Sequence, residues 1–158
     1  MTWRSGTDRK DKLFASLVYL FPLYSALPFG GFLMTQFPFL NIITIPLTPL
    51  IIIDQIPFGR FILFIILFSG VVRNYRISHF IRFNTMQSIL IDILLILVGL
   101  VFRFVLGGLD LPLVTQTVAN AVFLGTLIAS IYGIVQCSLG KYPEIPAISE
   151  AAYSQVPN

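Results

Sequence analysis

The sequence predicts an all-α integral membrane protein with four transmembrane helices and a proline-rich interfacial or re-entrant segment between the first and the second. Of its 158 residues, 56% are hydrophobic and only 11% are charged, and the mean hydropathy is +0.89. Soluble domains ordinarily carry about 25% charged residues, and a short chain has too little interior to bury so much apolar surface. We therefore expect one membrane domain at residues 13–139, a polar segment at 1–12 and a polar, disordered tail at 140–158.

Each predicted span is an apolar stretch bounded by charged residues, prolines or glycines, and a bilayer core is crossed by ~20 helical residues. The second stretch is short, so Arg60 is expected to snorkel toward the membrane surface. In the third, twenty residues separate Arg82 from Arg103, and these two charges bracket ~30 Å of helix. The expected limits are Leu13 to Leu27 or Met34, Phe58 to Arg73, His79 to Leu106, and Leu113 to Leu139.

The stretch 37–57 is apolar but is interrupted by four prolines, at Pro38, Pro46, Pro49 and Pro57. Proline removes a backbone hydrogen bond and kinks or ends a helix, so a straight helix of ~20 residues does not fit here. We expect an interfacial or re-entrant segment with a short helix before Asp54. A fifth membrane span is the alternative.

Lysine and arginine are distributed unevenly between the two sides of a four-span bundle. One side carries only Arg60 and Arg103, whereas the other carries eight basic residues. Positive charge favours the cytoplasmic side, so both chain termini are expected there, and a five-span arrangement would break this pattern. The eight residues are Arg4, Arg9, Lys10, Lys12, Arg73, Arg76, Arg82 and Lys141.

The sequence carries no recognisable enzyme signature. His79 is the only histidine and has no evident set of partners for acid–base chemistry, and Cys137 is the only cysteine. Metal-ligand spacings, phosphate-binding glycine loops and dense basic stretches typical of nucleic-acid binding are missing from the sequence. We therefore expect a protein that is not an enzyme, binds no cofactor, metal or nucleic acid, and has the lipid bilayer as its first partner.

One face of the third span is polar along its length. A carboxylate at Asp92, near the bilayer midplane, costs ~2.5–3.5 kcal/mol on insertion scales, so it should face the bundle interior or water. Two interpretations remain open: the stripe lines a hydrophilic path, or it forms hydrogen bonds between helices. The stripe comprises Asn84, Thr85, Ser88, Asp92, Gly99 and Arg103, with Gln87 beside it.

The fourth span and the loop before the third each present a possible contact surface. Small residues share one face of the fourth span, which favours close packing with the third span or with another copy of the chain. The loop is rich in cations, which either set the topology and attract lipid head groups or form a docking surface for a partner. The small residues are Ala119, Thr126, Ser130, Gly133 and Cys137, and the loop cations are Arg73, Arg76 and Arg82.

The run from Val71 to Ile93 contains the motif Arg-Phe-Asn-x-Met-Gln at Arg82 to Gln87, followed by Asp92. It resembles the twenty-kilodalton subunit family of the chloroplast inner-envelope protein translocon, the Tic complex. The Leu-Pro-Phe-Gly run at Leu27 to Gly30 and the Ile-Pro-Phe run at Ile56 to Phe58 also match that family. Because no transit-peptide leader is visible, the cyanobacterial or plastid-encoded branch is expected.

The resemblance implies a membrane component of a protein translocation apparatus, with other translocon subunits or further copies of itself as partners. It also implies a cyanobacterial membrane, with the plasma membrane first, or a plastid inner envelope with both termini in the stroma. Two alternatives remain. One is a small-solute or ion transporter that uses Asp92 as a proton relay; the other is a membrane scaffold that conducts nothing.

Overall fold

The computed structural model describes residues 8–158, and the regular elements in that range are all helical. Three of the helical stretches are long and apolar enough to cross a membrane, and a bent pair of helices brings the number to four if it counts as one span. The predicted all-α membrane fold is therefore confirmed.

The first span is a chain of short helices that together cover Arg9–Gln36, 28 residues. Helices α1 (Arg9–Leu17), α2 (Leu20–Ala26) and α3 (Gly31–Gln36) are joined by a turn at Val18 and Tyr19 and by a 3₁₀ segment, Leu27–Gly30. Pro28 lies in the first turn of that segment, where its missing N–H breaks no hydrogen bond. The first span therefore continues past Pro22 and Pro28 to Gln36. This agrees with the longer of the two expected limits, Met34.

The proline-rich stretch and the second span form the bent pair. A 3₁₀ segment, Pro38–Ile43, leads into α4 (Thr44–Asp54), and α5 (Gly59–Ile65) continues as the π-helical segment Ile66–Val72. The chain bends by 102° between its two arms, Pro38–Asp54 and Gly59–Val72. The expected short helix before Asp54 is thus present, and it is folded back against the second span.

The bend depends on a tight turn at Phe58 and Gly59. Phe58 has a left-handed φ of 58°, a conformation that is unusual for a bulky residue. A Cβ atom at Gly59 would lie 2.0 Å from the carbonyl oxygen of Ile53, so the turn excludes any side chain there. Glycine is required at this position by close approach of the backbone.

The third and fourth spans are single long helices, α6 (His79–Phe104) and α7 (Pro112–Ser138). The Ser78 hydroxyl accepts a hydrogen bond from the Ile81 amide and so caps α6. Pro112 occupies the first turn of α7, and Gly140, with φ 73°, follows its end. Helix limits therefore follow the local capping signals closely.

The first span occupies the centre of the bundle, because α1 and α2 pack against both α6 and α7, which contact each other little. Of the small residues of α7, Gly133 faces this first span, whereas Cys137 contacts Asn84 of the third span. A Cβ atom at Gly133 would lie 2.7 Å from ring atoms of Tyr19, so the two helices need glycine to approach this closely. The predicted small-residue face thus packs on the first span as well as on the expected third span, and contact with another copy stays a prediction.

The tail also differs from the sequence-based expectation of disorder. It contains helix α8 (Ile148–Gln155), which packs against α6. Ser149, Ala152 and Val156 are buried, and their spacing of three and four residues puts them on one helix face. Because these side chains are small or moderately apolar, the tail has a weak hydrophobic signal and is ordered mainly by what it packs against.

Candidate functional site

The polar stripe of α6 is buried inside the bundle from Asn84 to Asp92. Asn84, Thr85, Gln87 and Ser88 have no exposed surface, and Asp92 is 2% exposed. Buried polar groups are costly unless they are hydrogen-bonded, so their partners decide what the stripe can do. These side chains fall into two groups, one near the start of α6 and the other around Asp92.

In the first group, Tyr19 joins the first span to α6. Its hydroxyl donates to Asn84 Oδ1 at 2.7 Å and accepts from Gln87 Nε2 at 2.9 Å. The Cys137 thiol on α7 donates to the same Asn84 oxygen at 3.2 Å. The Ser88 hydroxyl donates to the Val18 carbonyl at 2.8 Å. This network ties three spans together, and we refer to it as the polar cluster.

The tail completes the polar cluster. Ser149 Oγ donates to Gln87 Oε1 at 2.6 Å, and Gln87 Nε2 donates to the Pro143 carbonyl at 3.1 Å. His79 Nε2 lies 2.9 Å from the Val156 carbonyl oxygen, which can only accept, so this nitrogen carries the proton. The tail therefore supplies hydrogen bonds that Gln87 and His79 would otherwise lack.

Tyr142 anchors the beginning of the tail. Its hydroxyl lies 3.0 Å from His79 Nδ1, and its ring meets that of Phe80 edge to face at 5.1 Å. Burial raises the pKa of the Tyr142 hydroxyl to about 12. The docked tail thus favours the neutral phenol.

The second group is an ion pair within the membrane-spanning region. Arg60 Nη2 lies 2.9 Å from Asp92 Oδ1, and the Arg60 side chain is 36% exposed, against 3% for Asp92. The Ser25 hydroxyl donates to the Asp92 carboxylate and accepts from the Arg60 guanidinium. The three residues come from the first, second and third spans, and we call them the latch residues.

The sequence pattern indicates Asp92 but not its partners, Arg60 and Ser25. Arg60 was expected to extend toward the membrane surface; instead the bent pair directs it inward to Asp92. A signal was available, because ionisable residues inside membranes tend to pair with one another. For Tyr19, the signal was a hydroxyl within an apolar span, which requires a partner when buried. Ser25 and Ser149 carried no comparable signal.

Four predicted site residues lie outside these networks. Arg103 is exposed, with its guanidinium 5.9 Å from the centre of the Phe104 ring. In the predicted docking loop, Arg73 and Arg76 are exposed. Arg82 is buried instead, and its Nε donates to the Val72 carbonyl at 2.9 Å. Arg82, the first residue of the motif, therefore holds the loop to α6. Of the three arginines predicted to form the docking loop, Arg73 and Arg76 are the two that face outward.

Among residues 8–158, the five buried polar side chains at Asn84, Thr85, Gln87, Ser88 and Asp92 each have a partner within the chain. Thr85, the fifth, donates to the Ile81 carbonyl at 2.8 Å. In that same range no group of three or more His, Cys, Asp or Glu side chains is placed to hold a metal ion. Four of these five side chains bond to the first or second span, whereas Thr85 bonds within α6.

Apolar spans, a bent helix pair and a buried polar network define this chain as a polytopic helical membrane protein. A family model described as "Chloroplast import apparatus Tic20-like" matches residues 10–152. The chain belongs to the Tic20 family, as the motif at Arg82 to Gln87 predicted.

The relatives come from cyanobacteria, plants and red algae. A Tic20 family protein of Synechocystis sp. is 54% identical over 158 residues and covers 99% of both chains. Protein TIC 20-v, chloroplastic, of Arabidopsis thaliana is 37% identical, over 96% of this chain and 73% of its own. The Tic20 family protein Ycf60 of Porphyra purpurea is 31% identical, over 98% of this chain and 80% of its own. The similarity thus extends through both groups of polar residues.

Proposed function

We propose that this protein is a non-catalytic, membrane-embedded subunit of a protein-translocating assembly. The observation that carries the proposal is the match of residues 10–152 to a family described by chloroplast import. The buried polar groups of α6 support it, because polar side chains inside a membrane are energetically costly and commonly mark a substrate or ion path. Assembly with other subunits or further copies would complete the route.

The closed bundle indicates where such a route would run. Its polar cluster is filled by Tyr19, Cys137 and the tail, so a translocating chain would pass between subunits or through an opened form of the bundle. Exposed apolar side chains along α6 and α7 give these helices surfaces for lipid or for another subunit. We place the protein in a cyanobacterial plasma membrane, or in a plastid inner envelope, with both termini in the cytoplasm or stroma.

The experiment is site-specific photo-crosslinking to a polypeptide arrested in transit. Membranes containing the protein would receive a precursor with a photo-reactive side chain and a folded domain that blocks its release. We expect crosslinks to this chain only while the precursor is arrested, and ionic conductance when the purified assembly is placed in liposomes. A precursor folded throughout is the control. Absence of both crosslinks and conductance would contradict the proposal.

The ion pair favours a second candidate, a proton-coupled carrier of small solutes. A carboxylate at membrane depth is a common proton relay, and Asp92 is held there by Arg60. In that case Asp92→Asn abolishes pH-dependent uptake, whereas uptake that persists in the variant excludes Asp92 as the relay. If the chain is instead a scaffold that conducts nothing, Asp92→Leu leaves its function intact.

A further inference from the structure

The segment formed by α4, α5 and the turn between them, residues 44–65, packs on few other elements of the membrane domain, and we call it the flap. Helix α5 packs mainly against α4 and against the π-helical segment that follows it, and α4 packs on α2. Large apolar side chains of α5 are consequently exposed, with Phe61 at 62% and Ile62 at 50%. Leu47 of α4 is fully buried, but it is the one large apolar side chain of the flap that is, so apolar contacts fasten only part of the segment to the bundle.

A groove separates the bent pair from the first span. Its volume is about 290 Å³, and its lining is almost entirely apolar. The first span contributes Phe14, Leu17 and Phe21, and the opposite wall includes Pro49, Leu63 and Leu67. Protein interiors are normally close-packed, so a gap of this size between two elements marks an interface that is not tightly closed.

Two polar contacts stabilise the interface between the bent pair and the rest of the bundle, where apolar packing is incomplete. The Tyr24 hydroxyl donates to Asp54 Oδ2 at 2.7 Å at the end of α4. The latch residues form the other contact, and Arg60–Asp92 is the one ion pair in the part of the chain that the structure describes. Ser25 follows Phe21 by four residues and Arg60 precedes Leu63 by three, so the latch lies one helical turn from the groove.

Both ends of α5 have backbone geometry suited to movement. The turn at Phe58 and Gly59 concentrates a 102° change of direction in a few residues. At the other end, α5 continues into the π-helical segment Ile66–Val72, which packs on α6. Element termini of this kind commonly absorb the backbone changes of hinge motion, and π-helical turns recur at functional positions.

We propose that Arg60, Ser25 and Asp92 form a latch that holds the flap shut, and that its release opens the groove between the first and second spans. Opening exposes the Asp92 carboxylate and the Ser25 hydroxyl to the groove. These groups are buried in the closed form of the chain. In the open form, a lateral route runs between the first and second spans and has polar groups at one end. The purpose of this movement rests on the proposed translocation function, but the movement itself is a property of the isolated chain.

The test measures distances between spin labels in liposomes without any precursor, so its outcome is independent of the translocation experiment. In a Cys137→Ser background, labels at Phe61→Cys and Leu113→Cys report the separation of flap and bundle, because both positions are exposed. Labels at Leu94→Cys and Leu113→Cys report the bundle alone. Arg103→Gln is the matched control, since Arg103 is an exposed arginine outside the latch.

Asp92→Asn and Arg60→Gln should each add a longer distance to the flap pair and leave the bundle pair unchanged. Loss of a charge-assisted hydrogen bond should raise the open-to-closed ratio by roughly tenfold or more. Should Asp92→Asn disturb both pairs, Arg60→Gln decides, because it removes the guanidinium and leaves the hydrogen bond from Ser25 to Asp92 in place. Flap distances that stay the same in Arg60→Gln, or that change equally in Arg103→Gln, would overturn the proposal.

Discussion

Tyr19 connects the first span to both α6 and α7. Its hydroxyl bridges Asn84 and Gln87, and its ring lies close to the backbone of Gly133. A single aromatic side chain therefore links the motif on α6 to the small-residue face of α7. Because the ring is fully buried, it has little freedom to adjust when its neighbours change.

The first prediction concerns Gly133→Ala. The added methyl group would lie 2.7 Å from the Tyr19 ring, which must shift and strain its hydrogen bonds. We expect a loss of about 1–3 kcal/mol, the usual cost of overpacking a core, measured as a lower midpoint of thermal unfolding in detergent. Gly125→Ala is the control, because a Cβ atom there meets nothing within 4 Å. Equal midpoints for the two variants would refute this account.

At the scale of elements, the tail packs against α6 near its N-terminal end. Helix α8 is short, and a helix of this length is not stable alone in water. Its order comes from Ser149, Ala152 and Val156 against α6 and from the stacking of Tyr153 on Phe83, with ring centres 4.3 Å apart. Individual hydrogen bonds should therefore control whether the tail is docked.

We predict that Ser149→Ala loosens the tail. Gln87 Oε1 and the Ile145 amide both lose their hydrogen bonds to the Ser149 hydroxyl, and unsatisfied buried groups cost about 1–3 kcal/mol. Limited proteolysis should cut the segment 139–158 faster in this variant. Ser154→Ala is the control, since Ser154 is exposed and bonds only within its own helix. Similar cleavage rates in the two variants would show that Ser149 does not fasten the tail.

We also predict that alkaline pH releases the tail. Burial raises the pKa of Tyr142 from 10.0 to about 12, and burial together with the Glu144 carboxylate raises the pKa of Tyr153. Because both values are raised in the docked state, the stabilisation is complete below pH 10 and is lost as pH rises through 12. A spin label at Ser154→Cys, with Cys137→Ser, should become mobile in this range.

The control for this transition replaces Tyr142 and Tyr153 together by phenylalanine. That variant lacks both phenols, so the label should keep the same mobility between pH 10 and pH 12. A transition that persists in the double variant would assign the effect to another group.

For the whole molecule, the distribution of arginine and lysine predicts a single orientation. Tyr75 and Ser154 should lie on the cytoplasmic or stromal side and Asp110 on the opposite side. In a Cys137→Ser background, a membrane-impermeant thiol reagent added from outside should label Asp110→Cys alone in intact cells. It should label Tyr75→Cys and Ser154→Cys only after the membrane is opened. Labelling of Tyr75→Cys and Ser154→Cys from opposite sides would require an odd number of spans between them.

The sequence by itself determined the helical membrane fold, the limits of the long spans, the polar face of α6 and the family. These properties depend on residues close together in the chain, through hydrophobicity, helix period, proline and capping. The tertiary structure decided that Arg60 pairs with Asp92, that α7 packs on the first span, and that the tail fills the space beside Gln87. Each of these contacts joins residues far apart in sequence, and no local pattern records which helices become neighbours once apolar faces and polar groups have found partners.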